Sequence, residues 1–315
     1  MAGAPLTSTY QGAGGNRTFI TDDIFMISPD ETPILSRLRS KPAQTTLVQW
    51  QTDSLAAAAT AGTIEGASIT FSSGAARTGV SNYTMIHSIA ISVSHTQEDR
   101  AKRGNIGGLR SEVQYETTKK LKELARNMEL AAIRSTSASG TSAAARALDG
   151  LQARITSENN TSATSRAYTR ALHNTVIQGV IDNGGQPNLL VAKPGVIAAI
   201  ADFASAVGGG NVYFTQPASD GVLRDMFRTI VDPFGTRQVV LHKYGFSTAS
   251  ATATADASAA AMLLQTDQMC KWVLRDVTVH KAAKTGLSHD SFAEVEWTLQ
   301  EGNEGAHAQI RNLNN

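Results

Sequence analysis

This chain has little charge, few aromatic rings and almost no cysteine. Asp, Glu, Lys and Arg make up 17% of its 315 residues and Phe, Trp and Tyr only 6%, against a usual charged fraction of about 25%. The single cysteine, Cys270, excludes an intramolecular disulfide framework and suits a reducing compartment. It sits beside apolar residues in MCKWVL, where an inert buried thiol is expected rather than a nucleophile. No apolar run approaches the roughly 20 residues of a membrane span. The opening MAGAPLTSTYQGAGG has neither the basic start nor the apolar centre of a signal peptide, so a soluble protein made in the cytosol is expected. A net charge of +1, with no basic run longer than Lys119-Lys120, argues against a dedicated nucleic-acid binder, because phosphate neutralisation needs clustered Lys and Arg.

Catalytic signatures are missing too. The histidines at 87, 95, 173, 242, 280, 289 and 307 are scattered, and no zinc-protease, nucleophile-elbow, dinucleotide or phosphate-loop pattern occurs. Glu301, Glu304 and His307 have a spacing that could suggest a metal set, but Gly302 and Gly305 interrupt any helix there. Asp22-Asp23 and Asp30-Glu31 read as caps or ion-pair partners, since nothing apolar surrounds them to raise a pKa. Neither an enzyme nor a bound cofactor is expected.

What replaces charge is Ala, Ser, Thr and Gly, which leaves many segments with little side chain to pack on their own. Residues 1–45 read as an arm: polar and Gly-rich at first, then an apolar turn around Ile34–Leu38 between Pro33 and Pro42. Thr46–Thr52 alternates as a half-buried strand, and Ile89, Ile91 and Val93 alternate as a returning one. Between them runs a loop of small residues interrupted by Ile64, Ile69 and Phe71. Such a hairpin is marginal alone in water and needs a surface to lie on.

Asn105–Arg134 carries apolar residues at helical spacing and predicts a helix of roughly 45 Å. Over 145–265 helix and strand alternate: a helix at Ser165–Asn183, a strand at Pro187–Ala192, a helix at Pro194–Ala206, a short amphipathic piece at Val222–Phe227 and a strand at Val239–Leu241. Ser247–Ala260 is low-complexity and reads as a surface loop. Val277 and Val279 begin a return to strand. Ala293, Val295, Trp297 and Leu299 then alternate with Glu294, Glu296, Thr298 and Gln300, predicting a sheet packed on one side with its acids on a solvated or neighbour-facing side.

Two stretches carry a resemblance: SPDETPILSRLRSKPAQTTLVQWQTDSLAAAA (28–59) and EVEWTLQEGNEGAHAQIRNL (294–313). Together with the order of elements, they resemble the major head proteins of tailed bacteriophages that have the Hong Kong 97-type capsid fold. The resemblance implies an α+β fold with an N-terminal arm (1–45), an extended β-hairpin loop (46–94), a peripheral domain with a spine helix (95–144), an axial domain (145–267) and peripheral strands with the C-terminus (268–315). It implies copies that assemble in the host bacterial cytoplasm as hexamers and pentamers of an icosahedral virion shell. That shell would enclose double-stranded DNA without sequence-specific binding.

Ile34, Leu35 and Leu38 of the arm, with Ile64, Ile69 and Phe71 of the loop, are expected to be buried only on assembly. Phe71→Asp is then expected to leave a soluble subunit that forms no shells. Some members weld their shells through lysine–asparagine bonds on the extended loop, but here Ser54–Gly79 contains no lysine and only Arg77 as a basic residue, so stability is expected to rest on non-covalent interlocking or on a separate decoration protein. A portal protein, a separate scaffolding protein and a decoration protein are the further partners implied. Two alternatives remain at this point: an encapsulin-like compartment loading protein cargo, and an α/β enzyme centred on 145–265 with Lys193, His242 and Lys243 at its strand ends.

Overall fold

The computed structural model describes residues 32–58, 60–69, 74, 76–104, 111–162, 166–205, 229–246, 259–283 and 286–313. In chain order the strands and helices are β1 (Arg39–Pro42), β2 (Leu47–Thr52), β3 (Thr78–Tyr83), β4 (Met85–Ser94), α1 (His95–Gly104), α2 (Glu112–Arg134) and α3 (Leu151–Arg154). There follow β5 (Asn159–Asn160), α4 (Arg170–Asp182), β6 (Leu189–Ala192), α5 (Pro194–Ser205), β7 (Thr229–Asp232), β8 (Gly235–Leu241), β9 (Ala259–Leu264), β10 (Met269–Lys281), β11 (Ser288–Glu301) and β12 (Ala308–Arg311). They build a four-stranded sheet in the order β1-β10-β11-β4, a six-stranded sheet in the order β5-β12-β9-β6-β8-β7, and the separate pair β2-β3.

The alternation in β11 does what it predicts. Ala293, Val295, Trp297 and Leu299 are all buried on one face, where Val273 of β10 and Met85 and Ile89 of β4 join them. Helix α2 covers this face. Ser111 starts it by accepting the Gln114 N–H, and its buried stripe of Leu124, Met128, Ala131, Ala132 and Ile133 meets Trp297 in one core. The six-stranded sheet is buried on both faces, so its central strands are unbroken apolar runs rather than alternating ones. Leu189 and Val191 of β6, with Met262 and Leu264 of β9, turn toward α2. Leu190, Ala192, Ala261 and Leu263 turn the other way, onto Val176, Ile177 and Val180 of α4 and Val196 and Ile200 of α5. Thus α2 is shared by both sheets.

Several boundaries differ from expectation. The spine helix starts at Glu112, not at residue 105; at 23 residues it is roughly 35 Å long, and 105–110 lie outside the described residues. The extended hairpin is closed by β3, not by the strand at 89–93: Leu47 pairs with Tyr83 and Thr52 with Thr78. Ile89, Ile91 and Val93 belong to β4, which pairs with β11 instead. Helix α4 begins at Arg170 because Thr169 caps it, accepting the Leu172 N–H. The pieces at Val222–Phe227 and 247–258 also lie outside the described residues.

Both chain ends cross the expected divisions. Arg39–Pro42 leaves the arm to pair in parallel with β10. Past Glu301 the chain leaves the four-stranded sheet, and β12 inserts between β5 and β9 of the other one. Its Ala308 and Ile310 are apolar enough to be drawn into that second core.

Glu294 and Glu296 do share the face opposite Trp297, but Glu296 is neither solvated nor left for a neighbour. It is 4% exposed, and its oxygens accept from Thr84 Oγ1 (2.7 Å), Arg146 Nη2 (2.7 Å) and Arg275 Nη2 (2.9 Å). The segment 138–147, pinched by an Ala138–Ala147 bridge, brings Arg146 over this face. Val277 and Val279 sit toward the far end of β10 and are half exposed.

One buried base gives the fold an acid limb. The Nδ1 of His307 accepts the Gln265 N–H at 3.2 Å, and burial pushes the imidazole pKa down to about 4. In the unfolded chain it titrates near its ordinary 6.5. The folded state therefore carries no penalty above pH 6.5 and loses stability as pH falls from there toward 4, by about 2 kcal/mol at pH 5. His307→Asn keeps an acceptor at the Nδ1 position without the titration. Urea midpoints at pH 7 and pH 5 should show a smaller drop for the variant than for wild type; equal drops would contradict this role.

Candidate assembly surfaces

The turn at Ile34–Leu38 and the β2–β3 hairpin are each attached to the body of the subunit by a few specific contacts. The arm enters through a short 3-10 turn, Leu35–Arg37, whose first N–H groups have no partners within the turn. Glu129 of α2 supplies them. Its fully buried carboxylate accepts the Ile34 N–H at 2.8 Å and the Leu35 N–H at 2.9 Å. It also lies 3.2 Å from His242 Nε2. Since His242 Nδ1 accepts the Gly245 N–H at 2.8 Å, the ring's proton sits on Nε2 and is donated to Glu129. The same helix grips the 242–246 loop twice more: Arg126 lies 4.9 Å from the centre of the Tyr244 ring, and Arg134 Nε donates to the Gly245 carbonyl at 2.8 Å.

This geometry corrects the expectation for the arm. Ile34, Leu35 and Leu38 are buried in the subunit's own core, at 0%, 8% and 9% exposure, beside Leu124, Met128 and Trp297. Because Glu129 satisfies the turn's leading N–H groups, its three apolar side chains can be buried within the subunit. The loop behaves differently: Leu55, Ile64 and Ile69 are 99%, 83% and 75% exposed, and Phe71 lies outside the described residues.

The base of the hairpin is clasped by Asn82, which is 1% exposed. Its Oδ1 accepts the Asp149 N–H at 2.8 Å, while its Nδ2 donates to Asp149 O at 3.1 Å and Leu299 O at 2.8 Å. A side-chain amide there replaces a strand partner. Beside it, Arg154 pairs with Glu301 (Nε to Oε1, 2.8 Å) and lies 5.1 Å from the centre of the Trp50 ring. Burial raises the Glu301 pKa, with Arg154 opposing the shift.

The candidates for chemistry do not converge. Glu304 holds the Thr156 and Ser157 N–H groups and the Ser157 hydroxyl, which hold its pKa below the ordinary range against the effect of burial. Glu301 turns to Arg154 and His307 to Gln265. Among the described residues no group of three His, Cys, Asp or Glu is placed to hold a metal. A buried network of Tyr168, His173, Asp232 and Arg237 joins α4 to the β7–β8 turn, with Tyr168 Oη 2.7 Å from His173 Nδ1 and Arg237 bound to Asp232. Of the strand-end residues, His242 is 1% exposed and committed to Glu129.

Sequence reading missed Glu129, Asn82 and Arg154. Only the first left a signal: an acid at 129 interrupts the apolar stripe between Met128 and Ala131. Removing it is the sharpest test of the arm's attachment. Glu129→Ala strands three buried donors at about 1–3 kcal/mol each, so a loss of about 3–5 kcal/mol is expected in urea unfolding of the subunit. Glu129→Gln keeps an acceptor and should lose less; an unchanged midpoint for the alanine variant would refute this account.

A family model described as SU10 major capsid protein matches residues 7–314 of the chain. Among solved structures, a chain of Mycobacterium phage Bobi gives a TM-score of 0.65 at 13% identity, covering 98% of this chain and 99% of its own. The capsid of a native GTA particle gives 0.66 at 10% identity, over 98% of this chain and 100% of that one. A chain of the holo-SrpI encapsulin complex from Synechococcus elongatus PCC 7942 gives 0.61 at 10% identity, over 98% and 96%. No curated protein matches the sequence. At such identities the likeness shows the fold, which is of the Hong Kong 97 type.

Proposed function

This chain belongs to the SU10 major capsid protein family, and from that premise we propose that its copies close hexameric and pentameric rings tiling an icosahedral head around double-stranded DNA. It is a major capsid protein, a self-assembling structural component of the virion. The finer reading gives the segment 145–267 the axial role at ring centres and the four-stranded sheet with α2 the peripheral role between rings. The DNA is enclosed rather than bound in sequence-specific fashion, which suits a net charge of +1. No catalytic step belongs to this role. A portal protein, a separate scaffolding protein and a decoration protein complete the proposed partners.

The observation that carries the assembly reading is the loop on the β2–β3 hairpin. Its described tip residues bury almost nothing, yet they include Leu55, Ile64 and Ile69 at 99%, 83% and 75% exposure. A two-stranded ribbon is marginal in water, and covering an isoleucine is worth about 1.5–3 kcal/mol. A neighbouring subunit supplies that cover, once per loop over the whole shell. Ile64 and Ile69, with Phe71, are the proposed contact residues. Stability of the shell then rests on interlocked apolar contacts, since the loop offers no lysine for a covalent weld.

Negative-stain microscopy and sedimentation velocity on the protein, expressed alone and with its scaffolding protein, test this. Closed particles or rings containing nucleic acid when made during infection are expected; protein cargo in place of DNA would turn the reading toward an encapsulin-type compartment. Ile64→Asp with Ile69→Asp should give a soluble 33.3 kDa subunit that no longer assembles, because a charge at each site opposes burial. Normal particles from that double variant would sink the assignment of the loop.

A further inference from the structure

The hairpin's direction is fixed by very little. Among the described residues β2 and β3 pair only with each other, and Asn82 fixes where the pair is attached but not how it is angled. A cavity of about 340 Å³ separates the hairpin, at Trp50, Thr52 and Val80, from the turn at Gly302–Gly305. Across that gap one side chain spans both walls. Arg154 comes from α3 and is itself 11% exposed at the side chain. It binds Glu301 of the sheet through Nε at 2.8 Å, reaches the Ser81 carbonyl through Nη1 at 3.4 Å, and lies 5.1 Å from the centre of the Trp50 ring. Its ends are therefore anchored differently: Nε is in an ion pair with Glu301 of β11, while the guanidinium lies over the Trp50 ring of the ribbon, with Nη1 3.8 Å from Asp149 Oδ2.

We propose that Arg154 is a positioning residue for assembly, setting the angle at which the hairpin leaves the subunit and so the place on a neighbour that the loop reaches. Asn82 is the pivot and Arg154 the stay. The cavity gives the ribbon room to swing when the contact is lost. With a loop this long, a small change of angle at Trp50 becomes a large displacement at Ile64. The proposal rests on reading the hairpin as the assembly loop, and its test keeps the two apart.

The test uses the full-length protein and two variants. Arg154→Ala removes the stay from the body side. Trp50→Leu removes it from the ribbon side, at a partly buried position, and leaves the Arg154–Glu301 pair in place. Hydrogen–deuterium exchange on the unassembled subunit should show amides of 47–52 and 78–83 exchanging about tenfold faster in both variants, with β10 and β11 unchanged. Electron microscopy of the same proteins should show aberrant sheets, tubes or altered diameters where wild type gives regular particles. If Arg154→Ala unfolds as a whole, Trp50→Leu decides alone. Unchanged exchange in the hairpin, or faster exchange with particles identical to wild type, overturns the proposal. Absence of regular particles from wild type overturns the assembly reading instead, while the exchange result still reads the stay.

Discussion

The contact on which the rest of the subunit depends is the buried carboxylate of Glu129. An isolated charge inside a protein costs several kcal/mol, and it is tolerated only where fixed donors surround it. Here three donors come from two separate parts of the chain: the N–H groups of Ile34 and Leu35, and the Nε2–H of His242. Each of the two parts is held by its own turn, so neither can move without leaving the charge short of a partner. The arm, the spine helix and the 242–246 loop thus fix one another's positions. Arg126 and Arg134 repeat the grip on that loop from the same helix.

That arrangement explains why the two sheets share a helix and remain distinct. The four-stranded sheet offers α2 a single apolar face, read directly in the alternation of β11. The six-stranded sheet offers it one of two apolar faces, with Leu189, Val191, Met262 and Leu264 turned inward. Residues two apart on β6 and β9 therefore serve one core, and their neighbours serve another. The polar face of β11 is closed by Arg146 and Arg275 over Glu296, charges borrowed from a loop and from the adjoining strand.

Much of this was legible beforehand, and the failures have physical causes. The β11 alternation, the buried run at 189–192 and the Pro-bounded turn at Ile34–Leu38 all carry local patterns that packing then obeys, whereas at 239–241 a strand forms but only Val239 is buried. The turn's destination was not legible, because its acceptor lies far along the chain, in α2. Helix α2 is shorter than its apolar spacing implies, because Gly107 and Gly108, residues that disfavour helix, stand just ahead of the Ser111 cap. Strand β3 was passed over because TGVSNY has small residues and no clean alternation. What holds it is Asn82, a polar side chain whose three bonds no periodicity announces. Arg154 was equally silent, since its partners come from three different strands.

The placement of β12 has a consequence for synthesis. The six-stranded sheet has this strand as an inner member, between β5 and β9, and the four-stranded sheet joins β1 to β10 across most of the chain. Both closures pair segments distant in sequence, the slow kind of contact to form. A nascent chain on the ribosome thus holds an unfinished four-stranded sheet until residue 301 emerges and an unfinished six-stranded sheet until residue 311 does, with raw strand edges that are prone to mispairing. A fragment that stops earlier has no finished body on which to present its loop.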